Sequence, residues 1–236
     1  SNTIIFAAYR LLLGSCYFIF LAMDAREYTP FDQLLMQLDK AMRTVFGAPP
    51  ATGRPNPADI HGEAGLTAEE KRRAAGLMRV DHAGEVAAQA LYQGQALTAK
   101  LAEVRGKMER AALEENDHLN WCEHRLAELG SHTSVLNPVW YTGSFAIGAL
   151  AGLAGDKWSL GFVAETERQV VEHLEEHLER LPKQDRKSRA ILEQMKEDEG
   201  SHATAALKAG GGELPEPVRQ LMRFTSKLMT TTAYYL

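Results

Sequence analysis

Glu115-Asn116-Asp117-His118 and Glu199-Gly200-Ser201-His202 repeat one spacing, a carboxylate followed three residues later by an imidazole. On a helix, residues i and i+3 share a face, so each pair can put both groups on one metal ion. Single glutamates precede the pairs at nearly matching distances: Glu85 lies 30 residues before Glu115, and Glu167 lies 32 before Glu199. Spacing alone is weak support, because a chain with 31 acidic residues and 8 histidines produces such pairs by chance. The faces decide. One stripe runs Leu192, Met195, Glu199, His202, Ala206, and a second runs Met108, Ala111, Glu115, His118, Cys122, Leu126. A third runs Val163, Glu167, Val170, Leu174, Leu178, whereas Glu165 falls in line with Arg168, Gln169 and Glu172 on a solvated face. Glu85 shares its face with Leu77, Asp81, Ala88 and Tyr92, a less distinct stripe. Buried carboxylates without partners are costly, so four of them on inward faces call for cations. Carboxylate oxygens combined with imidazole suit iron or manganese.

The surrounding sequence supplies the helices. Residues 30–46 have helical periodicity, and Gly47 to Gly65 is a linker with four prolines. Thr67-Ala68-Glu69-Glu70 is a capping box opening a helix to about Leu101, and a second helix runs from about Val104 to Leu129. An unusually apolar stretch from Asn137 to Ala154 follows, then helices from about Lys157 to Leu181 and Arg186 to Ala209, and a last one from Pro215 to Tyr235. No run alternates with period two for long enough to be a strand, so the chain reads as all-α. The midpoint of Glu167 and Glu199 is position 183, inside the turn Pro182–Asp185, and that of Glu85 and Glu115 is position 100, at a helix break. Two short hairpins joined by a longer crossover bring the four glutamates level. That is a ferritin-like four-helix bundle with extra apolar crossover and C-terminal helices.

Composition adds bounds. The net charge of -5 and the absence of a basic tract give no reason to expect nucleic acid. Cys16 and Cys122 are far apart and suggest no disulfide framework. Residues 1–22 form an apolar extension, read as a mis-called start before Met23-Asp24, a cloning remnant or a membrane anchor. The expected organisation is this extension, then 23–66 as N-terminal helix and linker, then 67–236 as the metal-binding domain. His61, His124, His132 and His177 stand in no constellation and read as surface residues.

Val80-Asp-His-Ala-Gly-Glu85, Glu115-Asn-Asp-His118-Leu, Leu136-Asn-Pro-Val-Trp140, Ala164-Glu-Thr-Glu167 with His173, and Asp198-Glu-Gly-Ser-His202 together resemble the demethoxyubiquinone hydroxylase family of ubiquinone biosynthesis. The likeness covers about Glu70 to Leu236. It implies a di-iron monooxygenase that uses O2 to hydroxylate the ring of a polyprenylated methoxy-benzoquinol. Two Fe2+ ions per chain would sit on Glu85, Glu115, His118, Glu167, Glu199 and His202, the six residues that the faces select. His82 and His173 are expected as hydrogen-bond partners just outside the ligands. Two further electrons must come from a reductase, NADH or the quinol itself, and the chain has no dinucleotide fingerprint. The uncharged stretch Val139–Leu153 is expected either as a buried crossover helix or as a surface dipping into the membrane, which would make the protein peripheral to the cytoplasmic face of the inner membrane. Other ubiquinone-biosynthesis proteins are possible partners. The competing readings are a ferroxidase or iron-storage subunit and a ferritin-like hydroxylase of another substrate.

Overall fold

The computed structural model describes residues 29–47 and 49–236. The apolar stretch 1–22, Cys16 and Met23-Asp24 lie outside the described residues. Two units divide the chain, one up to Lys40 and one from Ala41 to Leu236, and the bundle lies in the second. Helix α1 (Pro30–Phe46) opens on a reciprocal cap between Thr29 and Asp32. A 3₁₀ turn at Pro57–Ile60 sits within the Pro/Gly-rich segment. Then come α2 (Ala68–Thr98), α3 (Ala102–Glu128), α4 (Asn137–Leu153), α5 (Asp156–Arg180), α6 (Arg186–Lys208) and α7 (Glu216–Ala233). No strand occurs among the described residues, and the all-α expectation holds. The capping box at Thr67 and Glu70 is formed in both directions.

Helices α2 and α3 form one hairpin and α5 and α6 the other, with α4 as the crossover between them. Helix α4 lies against α2 with almost no side-chain layer between the two backbones. A Cβ on Gly94 would meet the Phe145 carbonyl oxygen at 2.3 Å, and one on Gly148 would meet that of Leu91 at 2.3 Å. Only glycine permits this approach. At the far end of α4, Gly155 takes φ +110°, and Asp156 accepts hydrogen bonds from the backbone N–H groups of Lys100 and Leu101 at the α2–α3 break.

Two apolar clusters bracket one polar layer. Leu77, Met78, Trp121, Cys122, Leu174, Leu192 and Met195 pack on one side. Ala88, Tyr92, Met108, Val163 and Ala206 pack on the other. Glu85, Glu115, His118, Glu167, Glu199 and His202 fall between these positions on each of the four helices. A desolvated slab of charge between two hydrophobic plugs holds only if the charges neutralise one another or bind a cation.

The linker is held along the bundle. Arg125, 1 % exposed, binds Glu63 of the linker, Glu128 of its own helix and Asp185 of the α5–α6 turn, each at 2.8 Å. A buried guanidinium with three carboxylates ties that segment to both hairpins.

Candidate metal centre

The six side chains converge. Glu85, Glu115, His118 and Glu199 each bring one donor atom within 4.8 Å of the others, and so do Glu115, Glu167, Glu199 and His202. Glu115 and Glu199 belong to both groups. The imidazole Nδ1 atoms face inward: His118 Nδ1 lies 2.9 Å from Glu115, 3.1 Å from Glu199 and 3.4 Å from Glu85. His202 Nδ1 lies 3.3 Å from both Glu115 and Glu199.

The outer ring nitrogens meet carboxylates that sequence reading missed. His118 Nε2 binds Asp198 at 2.9 Å, and His202 Nε2 binds Glu114 at 2.5 Å. Each of these acids stands immediately before the Glu-x-x-His pair of the opposite helix, so the two motifs cross-brace one another. Such contacts fix ring orientation and raise the basicity of a ligating imidazole. The signal was present as an acid preceding each motif. A further contact was not legible at all: Arg54 of the linker binds Asp117 at 2.9 Å and Asp198 at 2.8 Å, and its guanidinium lies over Trp121. Thr52 also binds Asp117.

The electrostatics follow from burial and crowding. Burial, then the neighbouring charge of Glu115, hold the Glu85 carboxyl well above its ordinary range. Burial and Glu199 do the same to Glu167. For Glu115, burial is outweighed by the adjacent His118, and its pKa falls well below the usual value. Burial disfavours the charged imidazoles, yet the glutamates raise His118 strongly and push His202 up to about 12. The carboxylates thus draw positive charge into the layer. Oxygen atoms remain without a hydrogen-bond donor, namely Glu85 Oε2, Glu115 Oε1 and both oxygens of Glu167. Buried orphan oxygens beside inward-facing imidazoles fit a pair of divalent cations, and the hard O/N donor set fits iron or manganese.

Other expectations need correction. His177 is buried rather than on the surface, and it binds Asp81 at 2.7 Å. Glu165 is 5 % exposed rather than solvated, covered by Arg168, Gln169 and, at 3.8 Å, Arg223 of α7. It still faces away from the six. His82 is buried beside Asn137, and His173 lies against His177 with ring centroids 3.9 Å apart. Among the described residues neither makes a hydrogen bond to any of the six.

An all-helical bundle with this convergent layer defines a class: a helical protein with a buried carboxylate- and histidine-rich centre that could hold metal ions. Residues 72–233 match the family described as ubiquinone biosynthesis protein COQ7, and the chain belongs to that family. A relative from Nitrosococcus oceani, named 3-demethoxyubiquinol 3-hydroxylase, is 61 % identical over 91 % of this chain and 100 % of its own length. Relatives with the same name from Acinetobacter baumannii and Ectopseudomonas mendocina are 61 % and 59 % identical, each over 89 % of this chain and over 100 % and 97 % of their own. Among solved structures, a dodecameric thioferritin from Bacteroides fragilis is 19 % identical with a TM-score of 0.48, over 61 % of this chain and 88 % of that one.

Proposed function

We propose that the protein is a 3-demethoxyubiquinol 3-hydroxylase whose six convergent residues hold two iron ions. The observation that carries this is the layer of four glutamates and two histidines in a chain 61 % identical to hydroxylases of that name. Glu85 and His118 would hold one ion, Glu167 and His202 the other, and Glu115 and Glu199 would be shared. Bound iron would supply the activation of O2, so that one oxygen atom enters the quinol ring and the other leaves as water, with two electrons from an external donor. The chain's own part is positional. Asp198 and Glu114 keep the imidazole Nδ1 atoms turned inward, and the two apolar clusters exclude bulk water. Ala88, Leu91, Tyr92, Phe162, Val163 and Glu167 enclose a closed, mainly apolar gap beside the centre with no room for a water molecule, so a ring entering here must displace side chains. Incubating iron-loaded protein with O2, reductant and demethoxyubiquinol should give a quinol with one added oxygen atom by mass spectrometry. Iron oxidation without that product would overturn the reading.

The same reading places the outer face of α4 in the membrane interface. One face of α4, with Tyr141, Gly148 and Gly152, is buried, while Val139, Ile147, Leu150 and Leu153 are exposed. No helix among the described residues is long and apolar enough to cross a membrane. An uncharged face of this kind suits shallow insertion and delivery of a polyprenyl tail. Ile147→Glu should release the protein from vesicles and raise KM for a long-tailed substrate far more than for a short-tailed analogue. Unchanged vesicle binding would contradict it.

A further inference from the structure

We propose that Asp81, His173 and His177 form a separate site for one divalent transition-metal ion of the Zn2+ type. His173 and His177 are one turn apart on α5 and so share a face. Their rings stand 3.9 Å apart between centroids, and Asp81 of α2 meets His177 Nδ1 at 2.7 Å. One donor atom from each of the three lies within 4.8 Å of the other two.

The hydrogen bond between Asp81 and His177 accounts for only part of this cluster. Asp81 is 4 % exposed, yet its Oδ2 has no donor, and His173 Nε2 is also buried without a partner. Orphaned buried polar atoms are rare and call for an unseen partner. Two imidazoles and one carboxylate are the donor set of zinc and of mononuclear ferrous sites, not of calcium or magnesium. Three protein donors leave coordination positions open, and His173 and His177 line a cavity of about 630 Å3 with Arg180 and Tyr234, where water or a small ligand fits. No side chain is shared with the six-residue centre. Asp81 stands four residues before Glu85, about 6 Å along the helix axis, and His173 six residues after Glu167.

The test is metal uptake, independent of hydroxylation. Full-length protein saturated with iron is titrated with Zn2+ by calorimetry and metal analysis, and with Co2+ while its visible absorption is followed. The wild type should take one further ion per chain and show the bands of low-coordinate Co2+. His173→Asn and His177→Gln should each weaken that uptake by more than about tenfold. Glu167→Ala, which alters only the other centre, should retain it, so failure of the proposed hydroxylase centre would not mimic failure here. Should His177→Gln fold poorly, the half-buried His173→Asn decides. No uptake beyond the first centre, or equal uptake by wild type and His173→Asn, would overturn the proposal.

Discussion

The two Glu-x-x-His motifs are alike in sequence and unlike in setting. His118 is fully buried, with its outer nitrogen on Asp198, and Arg54 bridges Asp198 to Asp117 above it. His202 has a side chain 13 % exposed, and its outer nitrogen rests on Glu114, which is 46 % exposed. One half of the centre is sealed by a segment outside the bundle, and the other half is reachable. Two near-identical motifs thus sit in different environments, one closed over and one partly open to solvent.

The largest effect should come from a residue common to both halves. Glu199→Ala should remove both ions and lower activity by well over about 100-fold, beyond the usual cost of losing an outer hydrogen-bond partner. Circular dichroism should show the helices retained. The next effects should split by half. Asp198→Asn and Arg54→Ala should each weaken metal binding by about 10- to 100-fold. Glu114→Gln should cost only a few-fold, because exposure weakens its hold on His202. Equal losses from Asp198→Asn and Glu114→Gln would break the comparison.

A pH dependence sharpens it. With His202 pushed up to about 12 and His118 also raised, both rings carry protons at neutral pH, and these must leave for Nδ1 to ligate. Metal loading should therefore release protons, and affinity should rise with pH. Calorimetry in two buffers of different ionisation enthalpy measures the release, and zero protons per ion would contradict the charge distribution. The smallest effect is expected at Glu165. Among the described residues its carboxylate bonds to Arg168, Gln169 and Arg223, so Glu165→Ala should cost about 1 kcal/mol of stability and leave kcat unchanged. If Glu165→Ala abolishes activity and Glu167→Ala does not, the assigned face of α5 is wrong.

How much was legible in the sequence depended on how each helix is covered. Helices α3, α5 and α6 keep a wet side, so their apolar stripes picked out Glu115, Glu167 and Glu199 by phase. Helix α2 is covered by α3, α4 and α7, and nearly every residue from Ala74 to Gln95 is buried. Its periodicity therefore selects no face, which is why Glu85 stood out least. Glu165 and His177 were misplaced for a related reason: a polar stripe reads as solvated until α7 or a partner such as Asp81 covers it. Arg54 could not be found at all, because a residue in a proline-rich linker has no periodicity, and its contacts with Asp117 and Asp198 span 63 and 144 residues of sequence.

The central claim is that six side chains hold two ions side by side. X-ray absorption at the iron edge, on protein loaded with two ferrous ions per chain, tests it most directly. The account predicts an iron–iron vector at about 3.5–4 Å, present in wild type and absent in Glu199→Ala. A spectrum with only light-atom neighbours and no iron–iron vector in the fully loaded wild type would contradict it.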